Sequence, residues 1–437
     1  MRKRAHGLYV CYWSLMDPLC QTQSFAYLRH MATPDRPFVL ITFEQPRFEL
    51  NGQESAATRR KLAEMGIYWY PLTYHKRFPL LATGFDCLAG ILTGVVAAWR
   101  HRPAVVHSRG SVPAAMALVL QRLCRLQFLY DADSRLSEEY ADNGHWSRDS
   151  VPFRVTARVE ALARRAADQI VVLSSALRED FVVQFGVRAP VEVIPCCVDV
   201  ERFQFHPSAR ALKRQELKLQ NERLFVYVGK LGPRYLVAEL FELLKTARES
   251  LSDAHLLILS GDAPEAFAAI ANQHGLSPNA YTVRHASHSE VPQWLSAADA
   301  GLALIRSAGC ERGSSPVKIG EYLAMGLPVV VTGGIGDYSD LLARERVGVV
   351  LQGLDASAFR DGVGRLAALW QEGDCLRARC RRNAIEHVDL HQVGCSRYRR
   401  VYDYLLNENG RERSASSASN SLPGEVAFGA SAESRQR

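Results

Sequence analysis

A lysine and a glutamate three residues apart, Lys318 and Glu321, lie in the stretch SSPVKIGEYLAMGLPVVVTG. Residues at i and i+3 of a helix are neighbours on its surface, and the stretch reads as loop, helix, turn and strand. Ser314 and Ser315 suit a helix cap and Pro316 its first turn. Ile319, Tyr322 and Leu323 make an apolar stripe at helical spacing, and Gly326 with Pro328 ends the helix before the apolar run Val329–Thr332. A helix start offers backbone N–H groups to an anion. A carboxylate one turn inside can accept two hydrogen bonds from a ribose diol. A second cationic group occurs in VGKLGPRYL, where Gly229 and Gly232 let backbone approach a ligand and Lys230 and Arg234 bring charge just before a helix. That is the make-up of a pyrophosphate cradle. The bland readings stand beside these: a strand-to-helix turn with two solvated cations, and a glutamate that complements the dipole of a surface helix.

The first half of the chain offers Gln21, His107, Arg109, Asp131 and Arg135 at the ends of apolar runs. Paired carboxylates such as those in YDADSRLSEEY can do acid–base work or orient hydroxyls; they can equally cap a helix, and a histidine beside a strand end is more often structural. The chain shows no Ser-His-Asp order, no metal-ligand spacing, no P-loop and no kinase set. Neither a metal nor another cofactor is implied.

These groups need a scaffold, and the alternation of apolar runs with helical patterns supplies one. Strands are expected at Gly7–Trp13, Phe38–Phe43, Ala104–Ser108, Leu126–Asp131, Gln169–Leu173 and Val191–Ile194. In the second half they are expected at Leu224–Val228, Ala254–Ser260, Tyr281–Arg284, Ala300–Ile305, Pro328–Thr332 and Gly348–Leu351. Such alternation means β-α-β units and mostly parallel sheets, hence an α/β chain of two Rossmann-like, doubly wound domains. The expected division is 1–200, a polar linker 201–221, a second domain 222–388, a helix 389–406 returning towards the first domain, and a disordered Ser/Gly/Ala-rich tail 407–437. In open α/β sheets ligands bind beyond the carboxyl ends of the strands, which is where every group named above falls.

The chain has 437 residues, 47% hydrophobic and 23% charged, with a net charge of +7. That is ordinary for a soluble protein of two or three domains. The charge does not call for nucleic acid and suits an anionic substrate or membrane face. The ten cysteines show no zinc-like spacing and read as reduced thiols of a cytoplasmic protein. Pro79–Trp99 is apolar with one acid, Asp86, and is bordered by Lys76, Arg77, Arg100 and Arg102. It is read chiefly as a buried helix on the sheet, with a membrane-touching helix as the sharper alternative.

Four segments resemble the GT-B glycosyltransferases, and within them the retaining nucleotide-sugar enzymes of glycosyltransferase family 4: Asp17–Met31 (DPLCQTQSFAYLRHM), Val171–Phe181 with Val193–Phe203, Val228–Leu236, and above all SSPVKIGEYLAMGLPVVVT. The resemblance implies two domains facing each other across a cleft. A nucleotide-diphosphate sugar would bind mainly to the second domain and a glycan or lipid-linked acceptor to the first. By matching position Glu321 would hold the ribose, and Gly229, Lys230 and Arg234 the diphosphate, the two cations acting in catalysis. Ser314, Ser315 and Lys318 would lie beside the phosphates and sugar. Gln21, His107, Asp131 and Arg135 would serve the substrate from the first domain. Likeness to surface-polysaccharide enzymes implies a lipid-borne acceptor, with the protein peripheral at the inner face of the membrane. Two departures stand out: the family often has a glutamate eight residues before the ribose glutamate, where this chain has Gly313, with Glu311 two residues away; and D-x-R-G is replaced by Asp131-Ala132-Asp133-Ser134. A sugar-nucleotide epimerase of the same fold and a non-catalytic partner subunit remain alternatives.

Overall fold

Thirteen short apolar segments pair into two parallel sheets in the computed structural model, which describes residues 4–407 apart from 78, 252, 253, 307 and 308. Of the expected tail, residues 408–437 lie outside the described residues. The first sheet holds β1 (Gly7–Cys11), β2 (Phe38–Glu44), β3 (Ile67–Thr73), β4 (Val105–Arg109), β5 (Gln127–Ala132), β6 (Gln169–Val172) and β7 (Val191–Val193), in the order β3-β2-β1-β4-β5-β6-β7. The second holds β8 (Leu224–Val228), β9 (His255–Leu259), β10 (Tyr281–Arg284), β11 (Ala300–Ala303), β12 (Val329–Thr332) and β13 (Gly348–Leu351), in the order β10-β9-β8-β11-β12-β13. Runs such as GLYVC and VVVT are buried at every position, as strands covered by helices on both faces must be.

In each sheet the chain winds outward one way, returns to the centre, and winds out the other way. The reversals fall between β1 and β4 and between β8 and β11. Such a reversal opens a crevice at the carboxyl ends of the central strands, and the loops after β1, β4, β8 and β11 meet there. One strand was not expected. IYWYPLT contains Pro71, which argues against a central strand, yet β3 forms because it is an edge strand, paired on one side only, to β2.

The polar stretch read as a linker contains the helix Pro207–Glu216. Arg210 and Arg214 on it lie 2.7 and 3.5 Å from the carboxylate of Asp299. Both also donate to the carbonyl of Ala297, at the end of helix Val291–Ala297, where a cation complements the dipole. After helix Asp374–Val388 the chain crosses back, and helix Ser396–Leu406 packs in the core of the first sheet, with Tyr398, Val401, Tyr402 and Leu405 buried.

Helix Pro79–His101 departs from expectation. Gly90 and Gly94 admit Met116 and Leu120 of helix Ser111–Cys124 closely on one side. The other side is not covered: Leu81 and Trp99 are 75% and 84% exposed. The buried-helix reading therefore holds for one face alone.

Candidate active site

Helix Val317–Ala324 begins at the crevice of the second sheet. Its N-cap is Pro316, which makes no side-chain cap. Ser315 does not cap it as the sequence suggested; its Oγ accepts from Cys196 N at 3.0 Å, across from the first domain's last strand. Lys318 and Glu321 both turn inward. The Lys318 ammonium stands 4.4 Å from the ring centroid of Tyr227 and 4.3 Å from that of Tyr235. Its Nζ is buried with no hydrogen-bond partner. Burial draws its pKa down to about 7, Arg234 pushes the same way, and Glu321 opposes them. Glu321 is 8% exposed. Burial pushes its carboxyl up to about 7 against the pull of Arg202 and Lys318. A buried ammonium held by aromatic faces, beside a buried carboxylate, is costly unless a ligand completes it.

The loop after β8 closes over this pair. Tyr227 Oη donates to Lys230 O at 2.9 Å, which fixes the turn, and Leu231 N donates to the Asp262 carboxylate. Gly229 has φ +158°, and a Cβ there would stand 2.7 Å from Lys318 Nζ and 2.8 Å from Tyr227 Oη. Only glycine lets the loop lie on the lysine. Lys230 is exposed and Arg234 half-buried. Arg234 reaches to within 4.0 Å of Glu139 on helix Leu136–Asp142 of the first domain, so it spans the cleft.

Further contacts join the domains at the same level. Ser175 N donates to both carboxylate oxygens of Asp337, at 3.0 and 2.9 Å, and Ser174 Oγ donates to Arg312 O at 3.1 Å. Ser314 lies beside these, partly buried. A Cβ at Gly313 would stand 3.3 Å from both Leu177 Cδ atoms. The family's glutamate therefore could not be restored here without moving Leu177. The side chain of Glu311 lies outside the described residues.

On the first domain the named residues divide. Gln21 Nε2 donates to Leu15 O at 2.7 Å and fastens the loop after β1. Arg135 lies 3.7 Å from Asp180 at the foot of the helix that carries Glu139. His107 and Asp131 do not line the cleft: both have no exposed surface. His107 Nδ1 pairs with Tyr402 Oη at 2.9 Å, while Asp131 Oδ2 accepts from Tyr398 Oη and from Arg109, each at 2.6 Å. Burial raises the Asp131 carboxyl, but Arg109, His107 and Tyr398 outweigh it and hold its pKa below the usual range. This pair braces the returning C-terminal helix, which corrects the expectation that it meets substrate. Sequence reasoning missed Arg202 and Asp337 as cleft residues, whereas Glu139 lies among the carboxylates of YDADSRLSEEY that it singled out. Arg202 could have been found, since it lies in the VIPCCVDVERF segment already singled out.

Among the described residues no group of three His, Cys, Asp or Glu side chains could hold a metal. The arrangement sets Lys318, Arg234 and Arg202 about one buried carboxylate, at the crevice of a doubly wound sheet and faced by a second such sheet. Two doubly wound parallel sheets facing each other across a cleft are the GT-B architecture.

The comparisons with known proteins agree with that class. A family model described as glycosyltransferase family 4 matches residues 39–202, and one described as glycosyl transferases group 1 matches residues 222–368. Between them they take in most of both sheets and support a GT-B glycosyltransferase of the family 4 type. A GDP-mannose-dependent alpha-(1-6)-phosphatidylinositol monomannoside mannosyltransferase of Mycolicibacterium smegmatis is 29% identical over 205 residues, 46% of this chain and 53% of that protein. The chain thus spans about half the length of the curated relatives it matches. Among solved structures, sucrose-phosphate synthase from Thermosynechococcus elongatus superposes with TM-score 0.69 at 16% identity, covering 92% of this chain and 100% of that one. Anabaena HepE in complex with UDP and glucose superposes at 0.67 and 16% identity, covering 91% and 99%. At such identity the likeness establishes the fold.

Proposed function

We propose that the protein transfers a sugar, with retention of anomeric configuration, from a nucleotide-diphosphate sugar to a glycan or lipid-linked acceptor in surface-polysaccharide synthesis, at the inner face of the membrane. The observation that carries this reading is the buried Lys318–Glu321 pair beneath the Gly229–Arg234 loop. A diphosphate would complete the unpartnered ammonium, and a ribose diol the carboxylate. In the proposed reaction the acceptor hydroxyl attacks the anomeric carbon on the face from which the diphosphate leaves. The carbon–oxygen bond to the diphosphate breaks as the new one forms, and the acceptor proton passes to a diphosphate oxygen. Lys230, Arg234 and Lys318 stabilise the charge that builds on the leaving group. Arg234, which also approaches Glu139, would couple donor binding to closure of the cleft.

The mannosyltransferase relatives and the UDP-bound structural neighbour set the first donors to try, GDP-mannose and UDP-glucose. The test is a thermal-shift panel of nucleotide sugars followed by product analysis. A ligand that binds only the folded protein raises its melting temperature. Transfer with retained configuration is the expected outcome. Epimerised nucleotide sugar, or binding with no turnover on any acceptor-containing extract, would put the epimerase or partner-subunit reading in its place.

A further inference from the structure

At the carboxyl edge of β2 and β3 lies a groove with a volume of about 820 Å³. Arg47, Tyr74, Lys76 and Arg77 line it, and Leu81 and Phe85 continue it onto helix Pro79–His101. Arg47 is 3.5 Å from Asp17 in the loop after β1, so the groove adjoins the mouth of the cleft on the acceptor side. Among the described residues neither Lys76 nor Arg77 has an ion-pair partner. The helix's one acid, Asp86, is buried and satisfied from within by Tyr12 Oη at 2.6 Å and by His75 N and Nδ1 at 3.1 and 2.6 Å. It leaves Lys76 and Arg77 uncompensated, while Arg47 is paired with Asp17.

From the groove runs a stripe, Leu81, Phe85, Leu88, Leu92, Val96 and Trp99, with exposures between 54% and 84%. The steps of three and four residues put all six on one helical face, about 27 Å long at 1.5 Å per residue. The adjoining helices Ser111–Cys124 and Val151–Ala166 add Leu123, Val155 and Leu162 in exposed positions. On these three helices Arg100, Arg122, Arg154, Arg158 and Arg165 are exposed. The acids of the three helices, Asp86 and Glu160, are 0% and 3% exposed. Three helices that expose apolar and cationic side chains and no carboxylate of their own complement an anionic lipid leaflet, with Asp149 and Asp168 exposed only at the ends of the third. A protein partner's acidic rim would leave the long apolar stripe without a match. The helix lies along the surface and does not span, because its opposite face is packed on the domain.

We propose that this helix face and groove form one docking surface for an anionic phospholipid membrane, with the groove seating the phosphate of a lipid-borne acceptor beside the cleft. The inference rests on the transfer reading above and names the acceptor class for it: an amphiphile with a phosphate next to its acyl or isoprenyl chain.

The test uses the full chain. In flotation, binding is expected to vesicles of phosphatidylcholine mixed with phosphatidylglycerol and not to phosphatidylcholine alone. The double variant Lys76→Ala/Arg77→Ala should weaken binding roughly 25-fold, about fivefold per cation, as a contribution of about 1 kcal/mol each predicts. The triple variant Leu88→Ser/Leu92→Ser/Trp99→Ser, all at exposed positions, should remove the part that survives raised salt. In calorimetry, dodecyl phosphate should bind the wild type and not the Lys76/Arg77 variant, while inorganic phosphate and dodecyl maltoside should not bind. Absence of vesicle binding at low salt, or binding unchanged in both variants, overturns the proposal. So does loss of a dimer on mutating the stripe, which would make the face a contact between copies. Nucleotide-sugar binding is measured on the same samples. If it is retained while vesicle binding is absent, this surface fails and the transfer reading stands. If it is absent while vesicle binding is retained, the transfer reading fails and the docking surface stands.

Discussion

Lys318 should make donor binding depend on pH in a way that an ordinary surface lysine could not. Its buried ammonium has a pKa lowered from 10.5 to about 7. That difference corresponds to about 5 kcal/mol set against the charged form at the 1.36 kcal/mol per pH unit of a titration. The doubly esterified diphosphate of a nucleotide sugar keeps its negative charge across this range, so its arrival favours the ammonium and raises the lysine's pKa. Between about 7 and that raised value the free protein holds the lysine neutral and the complex holds it charged. Binding then takes up a proton, and affinity falls by about tenfold for each pH unit of increase. Glu321 has the opposite sign. Its carboxyl is raised to about 7, and the carboxylate is the form that accepts hydrogen bonds from a diol, so affinity falls as pH drops below that value. Donor affinity should therefore peak near neutrality with a limb on each side. Titration calorimetry of the nucleotide sugar that binds, in two buffers of unequal ionisation enthalpy, reads the proton directly. Close to one proton should enter at about pH 8. Lys318→Met should abolish that uptake and flatten the alkaline limb, and Glu321→Gln should flatten the acid limb. A constant affinity from about pH 6 to about pH 9, or no proton uptake in the wild type, would refute the reasoning.

Three other outcomes are expected. Glu321→Ala should weaken donor binding by about 1–3 kcal/mol, the cost of unpairing hydroxyls from a charged acceptor; unchanged affinity in a folded variant removes the ribose role. Lys230→Ala and Arg234→Ala should lower kcat more than they raise KM for the donor, because charge grows on the diphosphate as its bond breaks; a loss confined to KM would make them binding groups alone. Tyr398→Phe, which removes the hydroxyl that donates to buried Asp131, should destabilise the fold by about 1–3 kcal/mol, read as a lower denaturant midpoint with nucleotide-sugar affinity unchanged; an unshifted midpoint would mean that the C-terminal helix is held by its apolar face alone.

Much of this molecule was legible in the chain because its signals are local. Every strand of the second sheet was expected within two residues of where it lies, since a strand buried on both faces must be a short apolar run between helical patterns. The helix bearing Lys318 and Glu321 and the glycine loop before Arg234 were legible for the same reason: stripe, glycine and charge all lie within one segment, although the serine cap read from that segment does not form. What the tertiary structure decided was the company each residue keeps. Asp131 meets Tyr398 and His107 meets Tyr402 across 267 and 295 residues, and no local pattern reveals that two strand-end residues will be roofed by a helix from the far end of the chain. Pro71 reads against a strand until the sheet order puts β3 at an edge. An apolar helix such as Pro79–His101 carries no mark telling which face the fold will cover, because burial depends on the neighbours that arrive and composition records none of them. The same holds for Lys318: its place was local, but its unusual charge comes from Tyr227, Tyr235 and Arg234, which the winding of the sheet brings to it.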